Sequence, residues 1–215
     1  MLVEALRVRD DEAVTKYLES HPAVPGLLVT GLLHISHETP YSAQIAPSMI
    51  ELVKKSTSGA EVVNAIMQFW AGRESTGTVL AMKYVDLGCC TVADVVDWLL
   101  GQGGWTDRAW GWEMVPVCVE KSDSLALQQN GENANGDGEK MEEVESGGRR
   151  EIFRKVVEGV QRVYERAEDD LGREWLQEWF RMVVGTYYED FEGLKADGWA
   201  GEILRGADVF RKLLA

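Results

Sequence analysis

Cysteine is scarce in this chain: Cys89, Cys90 and Cys118 are the only three in 215 residues, and two of them are adjacent. Adjacent cysteines seldom bridge each other and three leaves one over, so a disulfide framework is not expected and a reducing compartment is. Proline is nearly as rare, with five residues and none beyond Pro116. Positive charge is also short, 22 Lys and Arg against 36 Asp and Glu, a formal charge of −14. A surface of that sign repels phosphate backbones and anionic membranes, so contact with nucleic acid calls for a local basic patch or a partner carrying the positive charge. No run approaches the ~20 apolar residues of a membrane-spanning helix. The start, MLVEALRVRDDE, mixes charges with short apolar steps, unlike a secretory signal or transit peptide. A soluble intracellular protein is the expectation. Two-residue alternation is lacking as well, and Asn130-Gly131 and Asn135-Gly136 have no β-type runs beside them, so no sheet is expected.

What the chain does have is apolar residues at helical spacing, 45% of the sequence against 27% charged, as in ordinary globular proteins. Leu2, Ala5 and Leu6, then Val14, Tyr17 and Leu18, predict two short helices ended by His21-Pro22. The run from Val24 to Ile35 predicts a buried helix, and Tyr41 to Val53 a helix with Pro47 as a break or first-turn residue. Val62, Val63, Ile66, Met67, Phe69 and Trp70 form the next stripe, and Val79 to Leu87 a short helix ended by Gly88. Thr91 is the expected N-cap of Val92 to Leu100, with Asp94 as a capping-box substitute. After the Gly101-to-Gly104 break comes a helix over Trp105 to Glu120.

Residues 122–148 differ in kind. Seven acids stand against Lys140 alone, a net −6 that leaves −8 for the rest, and the segment has no aromatic residue. It reads as a disordered acidic loop inside a helical domain. Helical spacing resumes at Arg149 with Ile152, Val156, Val160, Val163, Tyr164 and Ala167. A heavier stripe follows with Trp175, Leu176, Trp179, Phe180, Val183 and Val184, then a last one with Trp199, Ile203, Leu204, Val209, Phe210, Leu213 and Leu214. The expected organisation is a helical-repeat domain over 1–121, the acidic loop over 122–148, and closing helices over 149–215. The fold class is all-α, antiparallel helical hairpins stacked as a HEAT-like solenoid.

Chemistry-bearing groups are few. His34 and His37 have the spacing to share a helical face, but a zinc site needs further ligands, and His21 precedes a proline elsewhere. Cys89 and Cys90 lack the C-x-x-C spacing and read as a buried pair. Glu168, Asp169 and Asp170 invite comparison with the magnesium-binding carboxylates of all-helical enzymes, but Arg173 stands where a second acid is needed. Acids just before a helix are better read as dipole partners. Gly101, Gly103 and Gly104 are not followed by the Lys-Ser/Thr of a phosphate loop. Arg149, Arg150, Arg154 and Lys155 cluster at an expected helix start, where the neighbouring acidic loop is a better match than phosphate. Most of the eight tryptophans lie on apolar stripes, with Trp105 and Trp199 as weak candidates for interface anchors. No catalytic group, metal or cofactor is expected.

Three stretches in order are more specific: AIMQFWAGRESTGTVLAMKYVDLG (65–88), TVADVVDWLL (91–100) and AWGWEMV (109–115). Together they resemble the third helical-repeat domain of the large subunit of the nuclear cap-binding complex. The family pattern falls on Trp70, on Val79, Leu80 and Lys83, on Ala93, Val95 and Trp98, and on Trp112 and Glu113. GLLVTGLLHIS (26–36) is similar to the preceding helix, and the resemblance is sharpest between 62 and 120. It implies helical hairpins like those of the middle domain of initiation factor 4G, and a non-enzymatic scaffold. Such a scaffold docks and orders a small subunit of RNA-recognition-motif fold, and that subunit holds the capped 5′ end of RNA. It also implies a nuclear location, service to splicing, processing and export adaptors, and correspondence to the last third of that large subunit. Apart from Lys83, the family positions are expected in the core. Candidate partner contacts are Arg73, Lys83, Tyr84 and Asp86, chosen for expected exposure. Two other expectations stand beside this one: an adaptor of a translation or RNA-decay factor, and an all-helical metal-dependent enzyme using Glu168, Asp169 and Asp170.

Overall fold

A computed structural model describes residues 2–21, 26–38, 47–101, 109–132, 141–167 and 170–196. Every regular element among them is an α-helix. They are α1 (Leu2–Val8), α2 (Asp11–Ser20), α3 (Leu27–Glu38), α4 (Pro47–Ser56), α5 (Gly59–Phe69), α6 (Glu74–Asp86), α7 (Val92–Gly101), α8 (Ala109–Glu132), α9 (Met141–Arg166), α10 (Asp170–Thr186) and α11 (Tyr188–Ala196). The chain divides into two compact units, residues 1–98 and 99–215, with the boundary inside α7. The sequence boundary expected at 121/122 instead falls inside the continuous helix α8.

Local signals explain where several helices begin and end. The Asp10 carboxylate accepts from the Ala13 amide at 3.0 Å and caps α2. Ser58 and Glu61 form a full capping box on α5, with the Ser58 amide donating to Glu61 Oε2 at 2.8 Å. Thr91 and Asp94 do the same for α7: the Asp94 amide donates to Thr91 Oγ1 at 3.1 Å, and the Thr91 amide to Asp94 Oδ2 at 2.8 Å. Such reciprocal pairs satisfy amides that lack partners inside the helix. Pro47 is the first described residue of α4, and residues 41–46 of the helix expected over Tyr41 to Val53 lie outside the described residues. Gly88 ends α6 at φ +69°, a left-handed conformation that lets the Cys89 amide reach back to the Tyr84 carbonyl at 2.9 Å.

In the first unit α1 packs on α2 and α3, α3 on α5, and α5 on α6. Their shared core includes Val14, Leu28, Val29, Val62, Val63, Ile66, Ala81 and Val85. In the second unit α9 is the common neighbour of α8, α10 and α11. Ile152, Phe153, Val156, Val157 and Val160 of α9 are buried with Val115, Cys118 and Val119 of α8, Leu176, Phe180 and Val183 of α10 and Phe191 of α11. Phe191 lies between two rings, 5.1 Å from Phe153 and 5.8 Å from Phe180.

The acidic segment needs correcting. Of the residues 122–148 expected as a disordered loop, 122–132 continue α8 and 141–148 open α9, leaving 133–140 outside the described residues. Extending a helix already nucleated by packing costs far less than starting one, and Leu125, Ala126, Leu127, Met141, Glu142 and Glu143 are good helix formers. Of the helix expected over 105–120, residues 109–120 belong to α8, and 105–108 lie outside the described residues. The stripe expected over 199–214 lies outside the described residues.

Close approach within the second unit depends on Gly159 of α9. A β-carbon there would meet three Leu100 side-chain atoms at 2.5 to 2.8 Å. Gly159→Ala should therefore lower the thermal midpoint, because overpacking of roughly 1–3 kcal/mol outweighs the ~1 kcal/mol gain in helix propensity. A raised midpoint in a denaturation scan would contradict this packing.

Candidate interaction surface

α6 presents two unlike faces. Gly77, Thr78, Ala81, Met82, Tyr84 and Val85 are buried, while Ser75, Thr76, Val79, Lys83 and Asp86 are exposed. Positions 76, 79, 83 and 86 follow steps of three, four and three, so they form one outward stripe. Lys83 lies in the last turn, where a cation is favoured by the helix dipole. Arg73 sits exposed at the N-terminal cap without making a capping hydrogen bond. The turn before it is held by the Gly72 amide, which donates to Glu74 Oε1 at 3.0 Å.

The four candidate contacts therefore separate. Arg73, Lys83 and Asp86 reach the surface, but Tyr84 is 2% exposed. One residue turns a helix by about 100°, which carries position 84 from the Lys83 side to the core. Burial raises the Tyr84 phenol above its ordinary value. Val79, expected in the core, is instead 65% exposed and forms the apolar centre of the outward stripe. Glu113 is exposed, Val95 is buried, and Trp70, Leu80, Ala93 and Trp98 are half-buried. Trp112 lies on α8, its side chain outside the described residues. The exposure of Val79 has only a faint signal in the sequence, its three- and four-residue spacing from polar Thr76, Lys83 and Asp86, because α6 as a whole has no clear amphipathic period.

The remaining clusters are occupied structurally. His34 meets the edge of Phe69 at 4.9 Å, and His21 stacks on Tyr17 at 4.2 Å. The His37 side chain lies outside the described residues, among which no group of three metal-ligating side chains converges. Glu168 and Asp169 are also outside them, while Asp170 pairs with Arg173 at 3.6 Å on its own helix. Arg149 spends its charge on carboxylates, binding Asp123 of α8 and, at 2.7 and 2.8 Å, Asp190 of α11. Its guanidinium also lies 5.9 Å from the Phe153 ring centre and 5.7 Å from that of Tyr187. Arg154 pairs with Glu151 and Glu158, and Lys155 with Glu151. Of these partners only Asp123 belongs to the acidic segment expected to meet the basic cluster; the others lie on α9 itself and on α11.

Against known families, the model described as MIF4G like matches residues 12–192. The chain belongs to the MIF4G-like family. A search of curated proteins finds no match, and a search of solved structures finds none. MIF4G-like domains are helical-repeat scaffolds, generally non-enzymatic and typically used for protein interactions in RNA-related factors. The match runs from α2 into α11 and includes the whole outward stripe of α6.

In this MIF4G-like chain the cysteines behave as apolar core. Cys89, Cys90 and Cys118 are buried free thiols, and Cys90 Sγ approaches the Ala81 carbonyl at 3.8 Å. Burial raises all three, Cys90 and Cys118 to about 12. A folded-state value above the unfolded one means the thiol contributes stability below the unfolded value of about 8.5, lost as pH rises toward about 12. Stability should fall with pH above about 9, and Cys118→Val should flatten that slope in denaturant titrations. At pH 8 a thiol-specific disulfide reagent should react slowly with the native chain and with three thiols once it is unfolded.

Proposed function

We propose that this chain is a non-enzymatic scaffold domain of the nuclear cap-binding complex, corresponding to the third helical-repeat domain of its large subunit. It docks and orders the small RNA-recognition-motif subunit that binds the 5′ cap, and serves mRNA processing, splicing and export in the nucleus. The observation that carries this reading is the ordered run of three motif stretches, 65–88, 91–100 and 109–115, inside the MIF4G-like match. The chain's charge of −14 supports contact with capped RNA through a partner rather than through its own surface. The outward stripe of α6 supplies a docking face of suitable character, with apolar Val79 rimmed by Lys83, Asp86 and Arg73. Binding energy spent there holds the partner in its ligand-competent form.

The family match also fits an adaptor of a translation or RNA-decay factor, because the same helical architecture serves both kinds of scaffold. Affinity capture separates the two, since recovery of translation factors in place of the small cap-binding subunit favours the adaptor.

Val79→Asp and Lys83→Glu should each weaken co-purification with the recognition-motif subunit about tenfold or more while leaving the melting curve nearly unchanged. Tyr84→Ala should act differently, lowering stability by roughly 3–5 kcal/mol through a core cavity. Retention of full affinity by both surface variants would remove α6 from the interface.

A further inference from the structure

The turn that opens α6 carries three polar side chains that the fold leaves unused. Arg73 is exposed and makes no capping hydrogen bond. Ser75 and Thr76 follow in the first turn, both exposed. Among the described residues, none is a hydrogen-bond or ion-pair partner of these three side chains. Other hydroxyls are occupied. Thr15, Thr78, Ser124 and Thr186 each donate to the carbonyl four residues earlier, and Ser58 and Thr91 cap their helices. Ser75 and Thr76 have no such carbonyl, because residues 71 and 72 precede the helix.

The surroundings of the pair are open. Ala71, Gly72 and Arg73 are exposed, and Gly72, at φ +83°, has no atom within 4 Å of where a β-carbon would stand. A turn with a vacant cap and so few neighbours opens locally at small cost. Arg73 stands three residues before Thr76. Protein kinases that select substrates by charge place carboxylates where such a guanidinium lands, and the paired fork holds the acceptor in register. Thr76 also lies one turn before Val79 on the outward stripe that continues to Lys83 and Asp86. Arg73 and Lys83 outnumber Asp86 there, and a phosphate of about −1.5 to −2 reverses that sign.

We propose that Thr76 is a phosphorylation site read through Arg73, and that its phosphate switches off docking at the α6 face; the switch rests on the docking role proposed above. The γ-phosphoryl group of a magnesium-bound nucleoside triphosphate passes to Thr76 Oγ1. The bond to the β-phosphate oxygen breaks, the Oγ1–phosphorus bond forms, the hydroxyl proton goes to a carboxylate of the kinase, and the nucleoside diphosphate leaves. The helix tolerates the product, because an anion in its first turn is favoured by the dipole. The added charge therefore acts on the partner, in the same sense as Lys83→Glu.

Incubating the full chain with ATP, magnesium and an arginine-directed serine/threonine kinase, then mapping the product by mass spectrometry, tests the site. One phosphate should appear on Thr76. Thr76→Ala should abolish it, and Arg73→Ala should slow it about tenfold. Phosphate on Ser75 instead, an unchanged rate in Arg73→Ala, or labelling only after denaturation overturns the assignment. The phosphorylated chain should co-purify with the recognition-motif subunit about tenfold less well, with its melting point kept. Kinase-treated Thr76→Val should retain full affinity. Full binding by the phosphorylated chain where Val79→Asp binds poorly overturns the switch. If Val79→Asp binds fully as well, the docking role falls and the switch with it, while the labelling still decides the site.

Discussion

Short amphipathic helices are marginal in water, and each of these must bury its apolar side against another helix or not form. That constraint organises both units. α5 succeeds because Val62, Val63, Ile66 and Met67 are all buried beside α3 and α6. α9 carries the larger load, because α8, α10 and α11 all pack on it. Each fully buried Val, Leu, Ile or Phe contributes about 1.5–3 kcal/mol. A shift of α9 as a whole would therefore disturb the packing of all three neighbours.

Charge is arranged around that apolar scaffold rather than within it. Arg149 is the clearest case, since one guanidinium reaches carboxylates on α8 and α11 and lies over two aromatic rings. It ties the polar rim of the second unit to the same helices that share its core. The other ion pairs are mostly exposed and local, of the kind that contributes little to stability. What remains for function is surface. Exposed apolar side chains such as Val79 on α6 and Leu171 and Met182 on α10 suit the protein-interaction role typical of MIF4G-like scaffolds.

Much of the helical layout was legible in the sequence where backbone chemistry is local. Thr91 and Asp94 form the expected reciprocal cap, and Gly88 ends α6 in the left-handed conformation. The α9 stripe of Ile152, Val156 and Val160 is buried as its spacing indicates. Errors cluster where burial depends on neighbours. Lys83 and Tyr84 are adjacent in sequence but face opposite environments, and Trp175 leaves a stripe whose other members are mostly buried. Val79 fits a family pattern expected in the core yet faces water, because α5 covers only one side of α6.

By itself, the sequence determined the all-helical class, most of the helix starts and stops, and the sign of the surface charge. These follow from side-chain spacing, caps and composition, which act within one turn of backbone. Only the tertiary structure decided that α8 and α9 extend into the acidic segment and that the boundary between units falls inside α7. It also decided which candidate contacts reach solvent. Whether a side chain is buried depends on which helix lies opposite it, and that partner can be far away in the chain. The scarcity of cysteine and basic charge still holds as an observation. The three thiols are packing groups, and Arg149, Arg154 and Lys155 within α9 pair with acids of the chain itself.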